Sequence, residues 1–193
     1  MNLLHRYFCR SDSWRRVLEE RVVPWVLADG SLGSKILELG PGHGLTTDLL
    51  RHRVQHLTAL ELDPALAHAL MRRLWGSNVS VVQGDATAMP LESGQFSGAV
   101  SLHMLHHIHS PELQDRLFRE VRRVLKPGAV FVGVDSLRLR RLWMRIFHLG
   151  DTLVPVDPNT LKPRLEAAGF ENICVETNAY AFRFRAERPL ANS

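Results

Sequence analysis

The sequence predicts an α/β domain: a doubly wound sheet of seven strands, mostly parallel, with an antiparallel last strand. Three observations carry that expectation. Short β-rich runs alternate with helical stretches between residues 35 and 134. The run Ala129-Val130-Phe131-Val132-Gly133-Val134 is apolar throughout, as suits a strand covered by helices on both faces. Near the end, the alternating runs ICVET and YAFRFRA are separated only by Asn178-Ala179, far too short a link for a parallel crossover.

The elements follow in order. Residues 1–33 read as a helical cap in which SWRRVLEERVVPWVL places Trp14, Val17, Leu18 and Val22 on one face, with Pro24 bending its end. Residues 34–136 hold the strands KILEL, LTALEL, VSVVQ, SGAVSL and AVFVGV, with TTDLLRHR, PALAHALMRRL and PELQDRLFREVRRVL as the helices. Ser110 caps the last of these ahead of Pro111 at its first position, and Lys126-Pro127-Gly128 closes it. Residues 137–158 form an insertion. On a helix, Arg138, Arg141, Arg145 and His148 would share one side of it, and Leu139, Leu142, Trp143, Ile146 and Leu149 another. Residues 159–193 supply the helix LKPRLEAAGF, with Pro163 in its first turn and Gly169 as a left-handed stop, and then the terminal hairpin.

Length and composition bound the function. A chain of 193 residues that is 45% hydrophobic suits one core rather than two. No apolar run approaches the roughly 18 residues that span a bilayer, and MNLLHRYFCRSDSWRR does not resemble a signal peptide, so the expectation is a soluble, cytoplasmic protein. Cys9 and Cys174 lack any paired metal spacing, which argues against zinc and a disulfide scaffold. A net charge of +4 mildly favours anionic partners.

The chemistry starts where the first strand stops, in ILELGPGHGLTTDLL. Gly40, Gly42 and Gly44 follow the strand directly, where glycine permits positive φ and lets a ligand approach the backbone without meeting a Cβ. The backbone N–H groups of that turn and of the helix after it suit a polar or anionic group. The dinucleotide pattern G-x-G-x-x-G is missed by one residue, because Leu45 stands at its third glycine. Glu61 ends the second strand at the distance where an acid meets ribose hydroxyls, and Asp85 follows the third strand, placed to accept from an adenine amino group. Asp63, followed by Pro64, reads as a helix cap.

Taken together, ILELGPGHG, ALELDP, VVQGDATAMPL, QFSGAVSLHMLHHI and VLKPGAVFVGVD resemble the class I S-adenosylmethionine-dependent methyltransferases, whose fold is Rossmann-like, over residues 35–134. The resemblance implies that Glu38 and the 40–44 loop hold the methionine part of S-adenosyl-L-methionine and that Glu61 holds the ribose. Leu62 would lie on one adenine face, Asp85 and Ala86 would meet the adenine edge, and Ser101 and Leu102 the methionine end. Ser97 departs from the aspartate often found after the phenylalanine, and His43 from a small polar residue.

Transfer then requires an acceptor lone pair aligned behind the methyl, plus a base only where the acceptor must lose a proton. His103, His106, His107 and His109 cluster after the fourth strand, and His106 and His107 are the candidate bases, a pair that in the family often only shapes the pocket. No carboxylate or cysteine at ligand spacing accompanies them, which argues against a metal. The acceptor is expected to be a small apolar, aromatic or lipid-like molecule beneath a lid that includes Trp14, Trp143 and Phe147. Peripheral membrane contact through Arg138, Arg141 and Arg145 is the sharper alternative to a solvated helix face. RNA methylation is a competing function, and a noncatalytic cofactor-binding or membrane-associated regulatory domain is another. Nucleic acid is disfavoured because Ser101-Leu102-His103-Met104 stands where base-amino methylases carry an Asn/Asp-Pro-Pro-aromatic segment.

Overall fold

The structure, a computed structural model, describes residues 11–137 and 153–191. The basic stretch with Arg138, Arg141 and Arg145, together with Trp143 and Phe147, lies outside the described residues.

The chain opens with helix α1 (Asp12–Val17), capped by Ser11 accepting from the Trp14 N–H at 3.2 Å. A π-helical stretch (Leu18–Val22) leads into the short α2 (Val23–Val26). Trp14, Leu18 and Val22 of the expected apolar face pack on the core together with Val23 and Val26, whereas Val17 departs from it and points outward, 37% exposed.

Five strands then alternate with helices: β1 (Lys35–Leu39), α3 (Leu45–Leu50), β2 (His56–Glu61), α4 (Pro64–Arg73), β3 (Val79–Gln83), β4 (Phe96–Leu102), α5 (Pro111–Val124) and β5 (Leu125–Ser136). Helix α6 (Pro158–Ala167), β6 (Glu171–Thr177) and β7 (Ala181–Glu187) complete the domain. The caps are those the residue types demand. Asp63 Oδ1 accepts from the N–H groups of Ala65 and Leu66 at 2.8 and 3.1 Å, and Ser110 Oγ accepts from Leu113 at 3.2 Å. Helix α6 starts earlier than its sequence suggests, because Asp157 accepts from the Asn159 N–H at 3.0 Å and sets the start at Pro158, which leaves Pro163 inside the helix. Gly169, at φ 88°, ends it.

The seven strands among the described residues make one sheet, ordered β3-β2-β1-β4-β5-β7-β6, in which β7 alone runs against its neighbours. Both faces are covered, as the apolar strands require. Leu37, Leu39, Ala99 and Phe131 pack beneath Phe118 of α5 and Leu161 and Leu165 of α6. On the other face, Ile36, Val100, Val130 and Val132 pack against Leu18, Val23 and Val26 of the cap and Leu49 and Leu50 of α3. Arg183 of β7 fastens the cap: it donates to the Trp25 carbonyl, pairs with Asp29 at 3.0 Å and Glu176 at 2.8 Å, and lies 5.8 Å from the Trp25 ring centre. Among the described residues no helix is long and apolar enough to cross a membrane.

The register positions the site. Leu39 pairs with Leu60 on one side and Ser101 on the other, Glu61 with Gln83, and Leu102 with Val134. The residues that follow these strands therefore gather along one edge of the sheet. The order reverses between β1 and β4, which opens a crevice at their carboxyl ends.

Candidate active site

The glycine loop after β1 is held from three sides. Gly40 N–H continues the ladder to the Leu60 carbonyl at 2.9 Å, and a Cβ on Gly40 would stand 2.3 Å from Met104 Cγ, so only glycine fits there. Gly42, at φ 56°, differs: a Cβ there would meet nothing within 4 Å, which leaves open space on that side of the loop. Its N–H donates to Glu61 Oε2 at 2.9 Å, while Glu61 Oε1 accepts from the Asp63 N–H at 2.9 Å. One carboxylate thus ties together the turns after β1 and β2. Each of its oxygens keeps acceptor capacity for a further donor.

Glu38 sits beneath this loop, 1% exposed. Its two oxygens accept from the hydroxyls of Thr46 and Thr47, the latter at 2.7 Å, so its carboxyl braces the start of α3. Burial lifts its pKa from 4.5 to about 7; the two threonines pull it down, and Asp48 and Glu61 add to the rise. Asp85 folds on itself after β3: Oδ1 accepts from the Thr87 N–H at 2.7 Å and its hydroxyl at 2.9 Å. Among the described residues its second oxygen accepts nothing. Leu62 lies between these carboxylates on the same edge and is 62% exposed, unusual for a leucine beside a buried sheet end. Ala86 is half-buried.

At the end of β4, Ser101 is fully buried and its hydroxyl has no hydrogen-bond partner among the described residues. Leu102 is half-buried. A single 3-10 turn (Leu105–His107) follows. His106 is buried, and Asp135 at the end of β5 accepts from both its backbone N–H at 3.0 Å and its ring at Nδ1, 2.6 Å away. His107 is half-buried, its ring 4.2 Å from that of His106. The sequence singled out neither Asp135 nor the threonines under Glu38. The signal for Asp135 was its place, an acid directly after the apolar run of β5 at the same sheet edge as the glycine turn.

A family profile described as "Methyltransferase domain" matches residues 37–133, the stretch that carries the glycine loop and the acids Glu38, Glu61 and Asp85. The chain belongs to the class I S-adenosylmethionine-dependent methyltransferases. Among curated relatives, a probable ribosomal RNA small subunit methyltransferase A of Methanothermobacter thermautotrophicus is 36% identical over 49% of this chain and 33% of its own length. Sterol 24-C-methyltransferase ERG6B of Gibberella zeae is 30% identical over 72% of this chain and 40% of its own. The chain thus spans less than half of either relative. A structure of a SAM dependent methyltransferase from Aquifex aeolicus superposes at a TM-score of 0.72, with 18% identity over 97% of this chain and 98% of that one, a likeness of fold. For a methyltransferase of this class, the two relatives point to different acceptors, one named for RNA and one for a sterol.

Proposed function

We propose that the protein transfers a methyl group from S-adenosyl-L-methionine to a small molecule with an apolar, aromatic or lipid-like body, by direct in-line displacement. The observation that carries this reading is the cradle: open space over Gly42, with the Glu61 carboxylate fastened to its N–H. The buried, unpartnered Ser101 hydroxyl fits a ligand at the end of β4, and the exposed Leu62 suits a flat apolar base. The cofactor supplies an electrophilic methyl carbon, to which the acceptor's lone pair bonds as the carbon–sulfur bond breaks and its electron pair stays on sulfur, giving S-adenosylhomocysteine.

The chain's own groups then have these roles. The Gly40–Gly44 loop holds the methionine part: Gly42 lets the backbone approach it, Gly40 and Gly44 let the loop turn tightly against Met104, Leu70 and Arg73, and Glu38 braces the start of α3. Glu61 accepts from the ribose hydroxyls, Leu62 covers one face of the adenine, and Asp85 with Ala86 meets its amino edge. Ser101 and Leu102 border the methionine end. Alignment of two bound partners supplies about 7–11 kcal/mol in the best intramolecular cases, which leaves little for a base to add when the acceptor is a free amine. Where the acceptor must lose a proton, the His106–His107 pair takes it, with Asp135 holding the first ring. The sterol methyltransferase relative, and the cap helix bearing Trp14 beside the end of β4, favour a small apolar acceptor over RNA.

The test is label transfer from methyl-labelled cofactor to three samples in parallel: a total lipid extract, ribosomal RNA, and buffer. Label in the lipid fraction is the expected result. Label in RNA would replace the acceptor while keeping the enzyme, and binding of S-adenosylhomocysteine without transfer to any sample would favour a noncatalytic domain.

A further inference from the structure

Just past β4 the backbone adopts a conformation that side chains avoid. His103 has φ 53°; the other non-glycine residue with positive φ among the described residues is Asn172, and both are types that enter this region more readily than most. The conformation still costs free energy that the surroundings must offset, and such positions gather at functional sites. The cause is visible in the ladder: His103 N–H donates to the Val134 carbonyl at 2.9 Å, one residue beyond the strand, and the chain then turns. The ring meets Trp14 of α1, with centres 5.4 Å apart and planes inclined at 59°.

The polar atom of that ring is the second observation. Although part of the residue reaches solvent, His103 Nε2 is sealed from it and has no hydrogen-bond partner among the described residues. Two residues upstream, the Ser101 hydroxyl is in the same condition. Buried polar groups are nearly always paired, so two such atoms at one strand end suit hydrogen bonds to the polar atoms of a ligand. Burial lowers the His103 pKa from 6.5 to about 4; Asp135 opposes the fall and His106 adds to it, so the ring is neutral near pH 7. A neutral ring does not repel a neighbouring sulfonium. It also offers one donor or one acceptor according to tautomer, and a hydroxyl, which both donates and accepts, satisfies either.

We propose that His103 Nε2 binds the polar atom of the methyl acceptor while Trp14 covers its apolar body, so that the acceptor is a hydroxyl carried on a hydrophobic frame. This deepens the methyltransferase reading and rests on it. Helix α1 fully buries none of its side chains, and Trp14 packs half-buried at the margin of the core, beside the His103 ring.

The experiment uses the full chain saturated with S-adenosylhomocysteine and two probes of one shape, 2-naphthol and 2-methylnaphthalene. 2-Naphthol should bind about tenfold more tightly, the discrimination of one hydrogen bond. In His103→Leu the two probes should bind alike, with S-adenosylhomocysteine affinity within about twofold of the unaltered protein, since this ring is not assigned to the cofactor. In parallel, the Nε2 resonance of His103 in protein labelled with nitrogen-15 histidine should move with 2-naphthol and stay in place with 2-methylnaphthalene, a readout that needs no variant. Equal affinities, an unmoved resonance, failure of 2-naphthol to bind, or a preference that survives in His103→Leu would overturn the proposal. Failure of S-adenosylhomocysteine itself to bind would instead remove the methyltransferase reading beneath it.

Discussion

Asp135 holds His106 twice, taking the backbone N–H on one oxygen at 3.0 Å and the ring Nδ1 on the other at 2.6 Å. This pairing locks the turn after β4 to the end of β5 and so fixes where His103 and His107 stand. Burial pushes the Asp135 carboxyl up, but the charge and hydrogen bond of His106, the charge of His103 and the Ser136 N–H outweigh it and hold the carboxyl below the usual range. A carboxyl depressed on folding contributes stability above its unfolded pKa and loses it as pH falls through the folded value. Asp135→Ala, which strands a buried histidine, should lower unfolding free energy at pH 7 by about 3–5 kcal/mol. Urea titration measures this, and the gap to the unaltered protein should narrow in acid.

Glu38 runs the opposite way. Its folded pKa of about 7 lies above the ordinary 4.5, so the protonated form is favoured in the fold. Its contribution is fully present below about pH 4.5 and is lost as pH rises through 7. Glu38→Gln mimics the protonated acid. Its stability relative to the unaltered protein should therefore improve between pH 4.5 and pH 8 by on the order of 3 kcal/mol, from about 1.36 kcal/mol per pKa unit. A constant difference across that range would contradict the assignment.

Calorimetry with S-adenosylhomocysteine tests the cofactor role proposed for Glu61 and Asp85. Glu61→Ala and Asp85→Ala should each weaken binding by about 1–3 kcal/mol, the range for hydrogen bonds to charged groups. Glu61→Ala should be the more damaging, because that carboxylate also fastens the Gly42 and Asp63 N–H groups.

The loop glycines separate stability from binding. Gly42→Ala meets no neighbour, so its folding cost is conformational alone, about 1–2 kcal/mol, yet its methyl stands in the open space and should sharply reduce cofactor affinity. Gly40→Ala collides with Met104 and should cost more stability. Thermal melts with and without S-adenosylhomocysteine distinguish the two.

Arg183→Ala should loosen the cap. Its guanidinium joins Trp25, Asp29 and Glu176, so the loss should reach about 1–3 kcal/mol. Limited proteolysis should then cut within residues 11–29 before it cuts the sheet.

Much of this architecture was legible in the sequence because its signals are local. The alternating runs gave the seven strands, Ser110-Pro111 and Asp63-Pro64 gave their helix starts, and the two-residue link at 178–179 gave the antiparallel pair. Gly40 and Gly42 announced the loop, and Glu61 and Asp85 the acids beside it. What escaped depends on geometry between distant residues. The π turn at Leu18–Val22, which leads into the buried Val23 and Val26, has no signature in a period of 3.6. The hydroxyls of Thr46 and Thr47 that Glu38 accepts from carry no mark in the sequence that ties them to it. Asp135 and His106 are 29 residues apart and meet only because β4 and β5 are neighbours. The strain at His103 follows from the same neighbourhood, since its N–H is drawn to Val134.

β7 is last in sequence but sixth across the sheet, wedged between β5 and β6. β6 therefore has no seat until β7 arrives, and the outer rim of β5 stays bare in the nascent polypeptide until Glu187 has cleared the ribosome. Assembly of this half cannot advance strand by strand as synthesis proceeds; it must await the hairpin and then snap shut as one piece.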